Sequence, residues 1–452
     1  METPSAMIVA DTFPPMVGVG SHRTVGLCRR LAERGWRVTV LTARLRPDEP
    51  TDGSLLAGIP PTVRVVRATS PNFPIIAAKL VKWRRPGIEA AKGLAGSSAP
   101  GGAHCEAAPW RRVVDWLSFW LHLPDDRLGW FLPAVVAGVR NAGRHRPGVI
   151  YGSGPKWTSH VVAATLSALL DLPLVADFRD PWCGSAWRRL PSAAHRRVDE
   201  LLERFVIRKA CRITCAWDGI RRHLVGRYPG RAGDIVTILN GFDREQIDSA
   251  GCVHLDGSRC VLLHAGMFYG PRSPDPLLKG LRLLKERSPR QARRLVVLLL
   301  GPQTYQGQPL RDLVDRHGLN GLVRLMPPTS HQRAMAFLNG ADVAVLFGQS
   351  GDDALASIPA KTYEYIGAGK PILAIGVGQE AAGLIQASGC RLWRADEPAS
   401  IAAALKDVVA AHSQGRLNGR IDSDARPALT RQRMAEELES VLRAAIEMRR
   451  KR

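Results

Sequence analysis

Long apolar runs are missing from this 452-residue chain. No uninterrupted stretch approaches the roughly 20 residues that cross a bilayer, so no membrane span is expected. The N-terminus lacks a cationic start followed by a long apolar segment, so no signal peptide is expected either. The 8 cysteines (Cys28, Cys105, Cys183, Cys211, Cys215, Cys252, Cys260 and Cys390) include no C-x-x-C pair, and no histidine pair has zinc-finger spacing. That pattern speaks against a zinc finger or a dithiol redox site and points to a reducing, cytoplasmic compartment. Acidic residues are also scarce: 41 Asp and Glu stand against 63 Lys and Arg, a net charge of +22. Such an excess favours acidic partners, whether nucleic acid, an anionic membrane face or phosphorylated small molecules. A basic nucleic-acid-binding protein is one reading, but the chain has no ribonucleoprotein motif and no aromatic–basic interleaving on strands, so no nucleic-acid partner is expected. Nor is there a nucleophile elbow with Ser, Asp and His in order, which leaves hydrolase chemistry unsupported.

What the chain does have is alternation. Short β-branched runs trade places with amphipathic stretches almost from end to end, the pattern of parallel βαβ units. Met7 to Ala10 reads as a first strand, Ser21 to Arg34 as a helix and Trp36 to Ala43 as a second strand. GVIYGS, LPLVADF, CRITCA and DIVTIL continue the series, and RCVLLHAG opens another that runs through RRLVVLLLG, LVRLM, DVAVLF and KPILAI. The irregular join from Phe242 to Ser258 predicts two doubly wound domains, at 1–245 and 255–425, with a charged C-terminal helix at 431–452 crossing back to the first. Between Pro71 and Pro109 the pattern breaks into a Gly-, Ala-, Ser- and Pro-rich loop. Trp116 and Trp120 follow it at i,i+4 spacing and share a helix face. Core packing is the preferred reading of that face, and an interfacial membrane helix the alternative.

Gly18 and Gly20 sit between the first strand and first helix, where glycines let backbone N–H groups approach an anion. A tight structural turn explains them equally well. The second strand ends in basic residues, with no acidic group at the position a dinucleotide dehydrogenase uses for ribose. Asp177, Arg179 and Asp180 close a strand of the first domain, and doubly wound sheets place their sites at such strand ends, so all three are expected to face the interdomain cleft. The Asp125–Asp126 and Asp352–Asp353 pairs invite a metal reading, but neither is flanked like a D-x-D at a strand end, and no metal is expected. His160 opens a helix, where capping or packing is preferred over catalysis.

Taken in order, Phe13-Pro14-Pro15, Gly18, Gly20, Arg23, Gly35, VIYGSGP, LPLVADFRDPW, ILNGFD, HAGMFYGPRSP and IPAKTYEYIGAGKPILA resemble the family 4 retaining glycosyltransferases of the GT-B fold, over nearly the whole chain. The resemblance implies an α/β architecture of two facing Rossmann-like domains, a nucleotide-sugar donor on the second and an acceptor on the first. It implies that Glu364 matches the second Glu of the family's E-x7-E motif and holds the ribose, since a carboxylate accepts from two adjacent hydroxyls. The first Glu of that motif falls at Ala356, which leaves the reading of the donor sugar open. Ile358 and Pro359 are expected to end a loop, Ala360 to Ala368 to form a short helix, and Gly369 to stop it. The helix start and Lys361 would then supply positive potential for a diphosphate. Gly266 matches the family's strand-end Gly, Met267 stands where an Arg is usual, and Arg272 matches the later cation on the donor phosphates. Ser357 is counted with the donor-binding residues, and Tyr269 is a further candidate. Where relatives keep a cleft His, this chain has Arg179 or Asp180; Asp180 is taken as the catalytic candidate.

No side chain is an obvious nucleophile, which agrees with front-face displacement without cofactor or metal. A GT-B nucleotide-sugar epimerase is the rival within the fold; it would need acid/base carboxylates. The arginine series Arg188, Arg189, Arg196, Arg197, Arg204 and Arg208, with the tryptophan segment, suggests a lipid-linked phosphate acceptor and peripheral attachment to the inner membrane face.

Overall fold

The computed structural model describes residues 3–16, 21–47, 49, 51, 53, 56–71, 119–184, 190–255, 257–268, 272–301, 303–349, 357–417 and 427–451. The Pro71–Pro109 loop beyond residue 71, Trp116, Gly18, Gly20, Tyr269, Arg188, Arg189, Ala356 and the Asp352–Asp353 pair lie outside the described residues. The chain divides into two compact units. The first comprises residues 1–216, 224–236 and 438–452, and the second residues 217–223 and 237–437.

The first unit is built on β1 (Ser5–Val9), α1 (Ser21–Glu33), β2 (Arg37–Ala43), β3 (Arg64–Ala68), α2 (Phe131–His145), β4 (Val149–Gly154), α3 (Trp157–Leu170), β5 (Leu174–Phe178), α4 (Ala193–Lys209), β6 (Arg212–Cys215), α5 (Asp218–Arg227, shared with the second unit) and β7 (Ile235–Thr237). The sheet order is β3-β2-β1-β4-β5-β6-β7. β1, β4 and β5 are buried along their whole length, because helices cover both faces of a parallel sheet and near-continuous apolar strands result. Two strand directions of winding meet between β1 and β4, and the crevice beyond their C-terminal ends is where such sheets take ligands.

The second unit adds α6 (Arg244–Asp248), β8 (Cys260–Ala265), α7 (Asp275–Arg287), α8 (Pro289–Ala292), β9 (Leu295–Leu300), the two-residue strands β10 (Thr304–Tyr305) and β11 (Gln308–Pro309), α9 (Leu310–Arg316), β12 (Val323–Met326), α10 (His331–Gly340), β13 (Val343–Phe347), α11 (Lys361–Gly367), β14 (Ile372–Ile375), α12 (Gln379–Ala387), β15 (Leu392–Arg394) and α13 (Pro398–Ser413). Its main sheet runs β12-β9-β8-β13-β14-β15, the same winding, with the switch between β8 and β13. Leu277, Leu281 and Leu284 on α7 meet Ile401, Leu405 and Val408 on α13 in one cluster against β8, β9 and β13. Fully burying one such side chain contributes about 1.5–3 kcal/mol, so this helix pair holds the outer layer firmly.

The last helix, α14 (Arg431–Arg450), contributes residues 438–450 to the first unit. There Glu439, 4% exposed, accepts a 3.2 Å hydrogen bond from Trp36 Nε1 and 2.7 Å and 3.0 Å bonds from Arg443. The division between the two units falls near 216–237. No helix among the described residues is long and apolar enough to cross a membrane.

Candidate functional site

The donor-side candidates collect at the switch point of the second unit. β8 delivers its C-terminal end to Gly266, whose φ of +154° lies in the region that favours glycine. Gly266 N donates to Leu300 O at 3.0 Å, which ties this turn to β9. Met267 is exposed, Phe268 turns back into the core, and half-buried Arg272 follows.

On the neighbouring side, α11 is seated by Thr362, Tyr363, Tyr365 and Ile366, all buried. Gly369, at φ +68°, ends it before β14. Burying that face leaves Lys361 and Glu364, three residues apart, on the other one. Lys361 Nζ donates to Glu364 Oε2 at 2.8 Å, and His331 Nε2 at the start of α10 lies 3.9 Å from Glu364 Oε1. Burial alone would raise the pKa of Glu364. The charges of Lys361 and His331, with the Lys361 hydrogen bond, outweigh it and hold the carboxyl below its ordinary value, so it is ionised at neutral pH. α11 has only seven residues, so the local positive potential comes from Lys361 rather than from a long helix axis. Half-buried Ser357 leads into this segment.

His264 connects the two sides. Its ring stacks on Phe268, with centroids 5.0 Å apart, and its Nδ1 lies 3.0 Å from Val345 O. A carbonyl only accepts, so Nδ1 carries the proton. Burial first, then the nearby charges of Lys361 and Arg272, depress the imidazole pKa to about 4 despite the Val345 bond. The two cations thus converge on one neutral histidine beneath the Gly266 turn. Sequence reasoning missed His264 and His331; their only signal was position, one at a strand end and one at a helix start.

In the first unit the DFRDPW segment divides differently from expectation. Asp177 does not face a cleft. It is fully buried inside β5, in register with Ser153 on β4 and Thr214 on β6. Both hydroxyls donate to it, at 3.0 Å and 2.6 Å, and Arg23 of α1 makes a two-pronged contact at 3.0 Å and 2.8 Å. Arg23 is therefore a structural partner, which accounts for its place in the motif series. Arg179 donates to the carbonyls of Gly154 at 2.7 Å and Pro155 at 2.8 Å, fixing the loop after β4. Asp180 is half-buried at the C-terminal edge of the sheet. Trp182 Nε1 donates to Asp199 at 2.9 Å and Cys183 N to Glu203 at 2.8 Å, so two buried carboxylates of α4 anchor the remainder of this loop.

Asp11, just beyond β1, is a third residue that the sequence reading missed. It is 1% exposed; burial raises its pKa against the opposing effects of Thr12 and Arg127. His160 packs in an aromatic cluster with Phe178, Trp157 and Trp182, and burial lowers its pKa to about 4. Asp125 accepts from Thr158 N and Oγ1 and from Arg127 N, while Asp126 pairs with Lys156, so both are already engaged by protein donors. Among the described residues, Cys260, Asp342 and His412 form a grouping of metal-ligand type; Cys260 opens β8, at the end opposite to Gly266. Trp120 is half-buried and stacked on His195 at 4.0 Å.

Residues 20–241 match the glycosyl transferase 4-like domain. Over 230 residues the chain is 28% identical to the D-inositol 3-phosphate glycosyltransferase of Nocardiopsis dassonvillei, covering 49% of this chain and 51% of that one. The chain thus spans about half the length of that curated relative. Sucrose-phosphate synthase from Thermosynechococcus elongatus superposes with a TM-score of 0.63 at 15% identity, over 99% of this chain and 100% of that one. HepE of Anabaena, in complex with UDP, gives 0.62 at 14% identity, over 98% and 100%. At such identities the structural likeness speaks for the fold, and it extends over both parallel-sheet units. Domain match and fold agree: residues 20–241 form a glycosyl transferase 4-like domain, and both parallel-sheet units have the fold of the GT-B glycosyltransferases.

Proposed function

We propose that this protein is a retaining glycosyltransferase that moves a sugar from a nucleotide-sugar donor to an acceptor, in the synthesis of cell-envelope polysaccharide or glycolipid. The observation that carries the reading is the convergence of Arg272, Lys361 and an ionised Glu364 at the switch point of the second sheet. In this reading Glu364 accepts from the ribose hydroxyls, and Arg272 and Lys361 bind the diphosphate beside the Gly266 turn. The bond from anomeric carbon to phosphate oxygen breaks while the acceptor oxygen approaches the same face. The departing diphosphate takes the acceptor's proton, and the two cations stabilise the charge that develops on it. That HepE has been captured with UDP supports a nucleoside diphosphate in the donor.

The acceptor belongs to the first unit. Of the two residues at the position of the family's histidine, Arg179 is committed to backbone carbonyls, which leaves Asp180 for the donor sugar or acceptor. Exposed Arg196, Arg197, Arg204 and Arg208 on α4 support attachment to an anionic membrane face on the cytoplasmic side, with a lipid-linked acceptor. No metal is assigned to the reaction.

Glu364→Gln tests the ribose contact. The variant retains its fold, because Lys361 is partly exposed and tolerates the loss of its partner. Donor affinity measured by calorimetry falls by about 1.5–3 kcal/mol, the range for losing a hydrogen bond to a charged group. Unchanged affinity would remove Glu364 from the donor site. Thermal stabilisation by a panel of nucleotide sugars identifies the donor for that measurement.

A further inference from the structure

Arg67 is the penultimate residue of β3, at the C-terminal edge of the first sheet, where Asp11 follows β1 and Asp180 follows β5. One terminal nitrogen donates to Pro14 O; the other is buried and has no hydrogen-bond partner. Other arginines of this unit are matched with carboxylates, Arg23 with Asp177 and both Arg212 and Arg231 with Asp234. Among the described residues Arg67 has none. Burial with no compensating charge pushes its pKa down.

Arg127 comes to the same short segment from the loop before α2. It is 6% exposed and touches Met16 Sδ at 4.0 Å, two residues from Pro14. It pairs with Glu49, and its Nε lies 3.5 Å from Asp11 Oδ2 without making a hydrogen bond. Its Nε and one terminal nitrogen are buried with no hydrogen-bond partner, as is Asp11 Oδ1. Burial raises the Asp11 pKa against the opposing effects of Thr12 and Arg127. Two guanidinium groups therefore hold unused N–H donors at the sheet edge where doubly wound domains bind ligands.

We propose that Arg67 and Arg127 form an anion subsite for a phosphate group carried by the glycosyl acceptor. This rests on the glycosyltransferase reading only for the word acceptor. A tetrahedral phosphate presents oxygens in several directions and can take donors from two guanidinium forks at once, whereas a planar carboxylate is satisfied by one. A soluble sugar phosphate and a lipid phosphate share this chemistry.

The test uses the full chain in saturating UDP, with a parallel series in the Arg272→Ala background, so that donor-side cations do not report. Inorganic phosphate is titrated at constant ionic strength and the midpoint of stabilisation is read from Tm. Arg67→Met is expected to weaken phosphate binding tenfold or more, and Arg67→Lys to recover part of it. In phosphate-free buffer Arg67→Met is expected to melt no lower than the parent, because an unmatched buried cation is removed. A lower Tm there marks Arg67 as structural and overturns the subsite; so does equal phosphate affinity in parent and variant, or stabilisation no greater than chloride gives. Glucose 6-phosphate and phosphatidylcholine vesicles containing phosphatidic acid are then compared as competitors of phosphate. Competition that Arg67→Met abolishes names the source as soluble or lipid. Phosphate binding through Arg67 with no nucleotide sugar bound would sink the glycosyltransferase reading and keep the subsite. Nucleotide-sugar binding without phosphate binding does the reverse.

Discussion

Arg272→Ala is expected to lower the turnover of glycosyl transfer about a hundredfold or more, the usual cost of deleting a preorganised group that stabilises developing charge. The effect should fall mainly on kcat, since a full negative charge appears on the diphosphate only as the glycosidic bond breaks. Lys361 remains in place and retains part of the ground-state affinity, so donor binding weakens less than turnover. The same assay addresses metal dependence: activity persists in chelator if protein cations alone neutralise the leaving group. Turnover that requires added manganese or magnesium would overturn the metal-free mechanism, and turnover indifferent to Arg272 would move the leaving group elsewhere.

Asp177→Asn is expected to destabilise the first unit by about 3–5 kcal/mol, because Arg23 is left buried without its counter-charge. For a unit of this size that corresponds to a fall in Tm on the order of 10 °C. Replacing both residues by apolar ones, Arg23→Met with Asp177→Leu, should recover part of the loss. Burial by itself would raise the Asp177 pKa, but the Arg23 charge and hydrogen bonds from Arg23 and Thr214 bring it down to about 2 from an ordinary value of 3.8. A depressed carboxylate pKa means that its stabilisation is fully present above about pH 4 and is lost as pH falls towards 2. Acid unfolding followed by circular dichroism should show that dependence in the parent and lack it in Asp177→Asn. A variant that melts like the parent would show that Arg23 and Asp177 do not depend on one another.

Central strands were legible in the sequence because parallel strands covered on both faces are written as apolar runs: VLLHA, LVVLLL and VAVLF announce themselves. Edge strands were not. β3 reads RVVRA and is half-exposed, and β15 has three residues, so neither differs from loop by periodicity. The short helix of the proposed donor segment was legible because a proline before it and a glycine after it mark its ends. The fate of Asp177 was not, since a carboxylate near a strand end looks the same whether it faces solvent or a buried arginine 154 residues away. Arg67, Arg127, His264 and His331 were invisible for a related reason. Their meaning lies in which groups long loops bring beside them, and local pattern carries none of that.

The bond between Lys361 and Glu364 forms a clasp across the proposed donor site. If the proposed donor contacts hold, a diphosphate that draws Lys361 away also frees Glu364 for the two ribose hydroxyls, so each half of the donor unlocks the contact needed by the other. Pyrophosphate must break the clasp and leaves the carboxylate without a new partner, and a nucleoside must do so without offering the ammonium group a replacement anion. The intact nucleoside diphosphate should therefore bind more tightly than the summed affinities of its fragments predict, and Glu364→Gln should abolish that surplus. On the proposed function, recognition would then read the junction between ribose and phosphate, and a molecule that carries only one of them would meet a site that prefers itself.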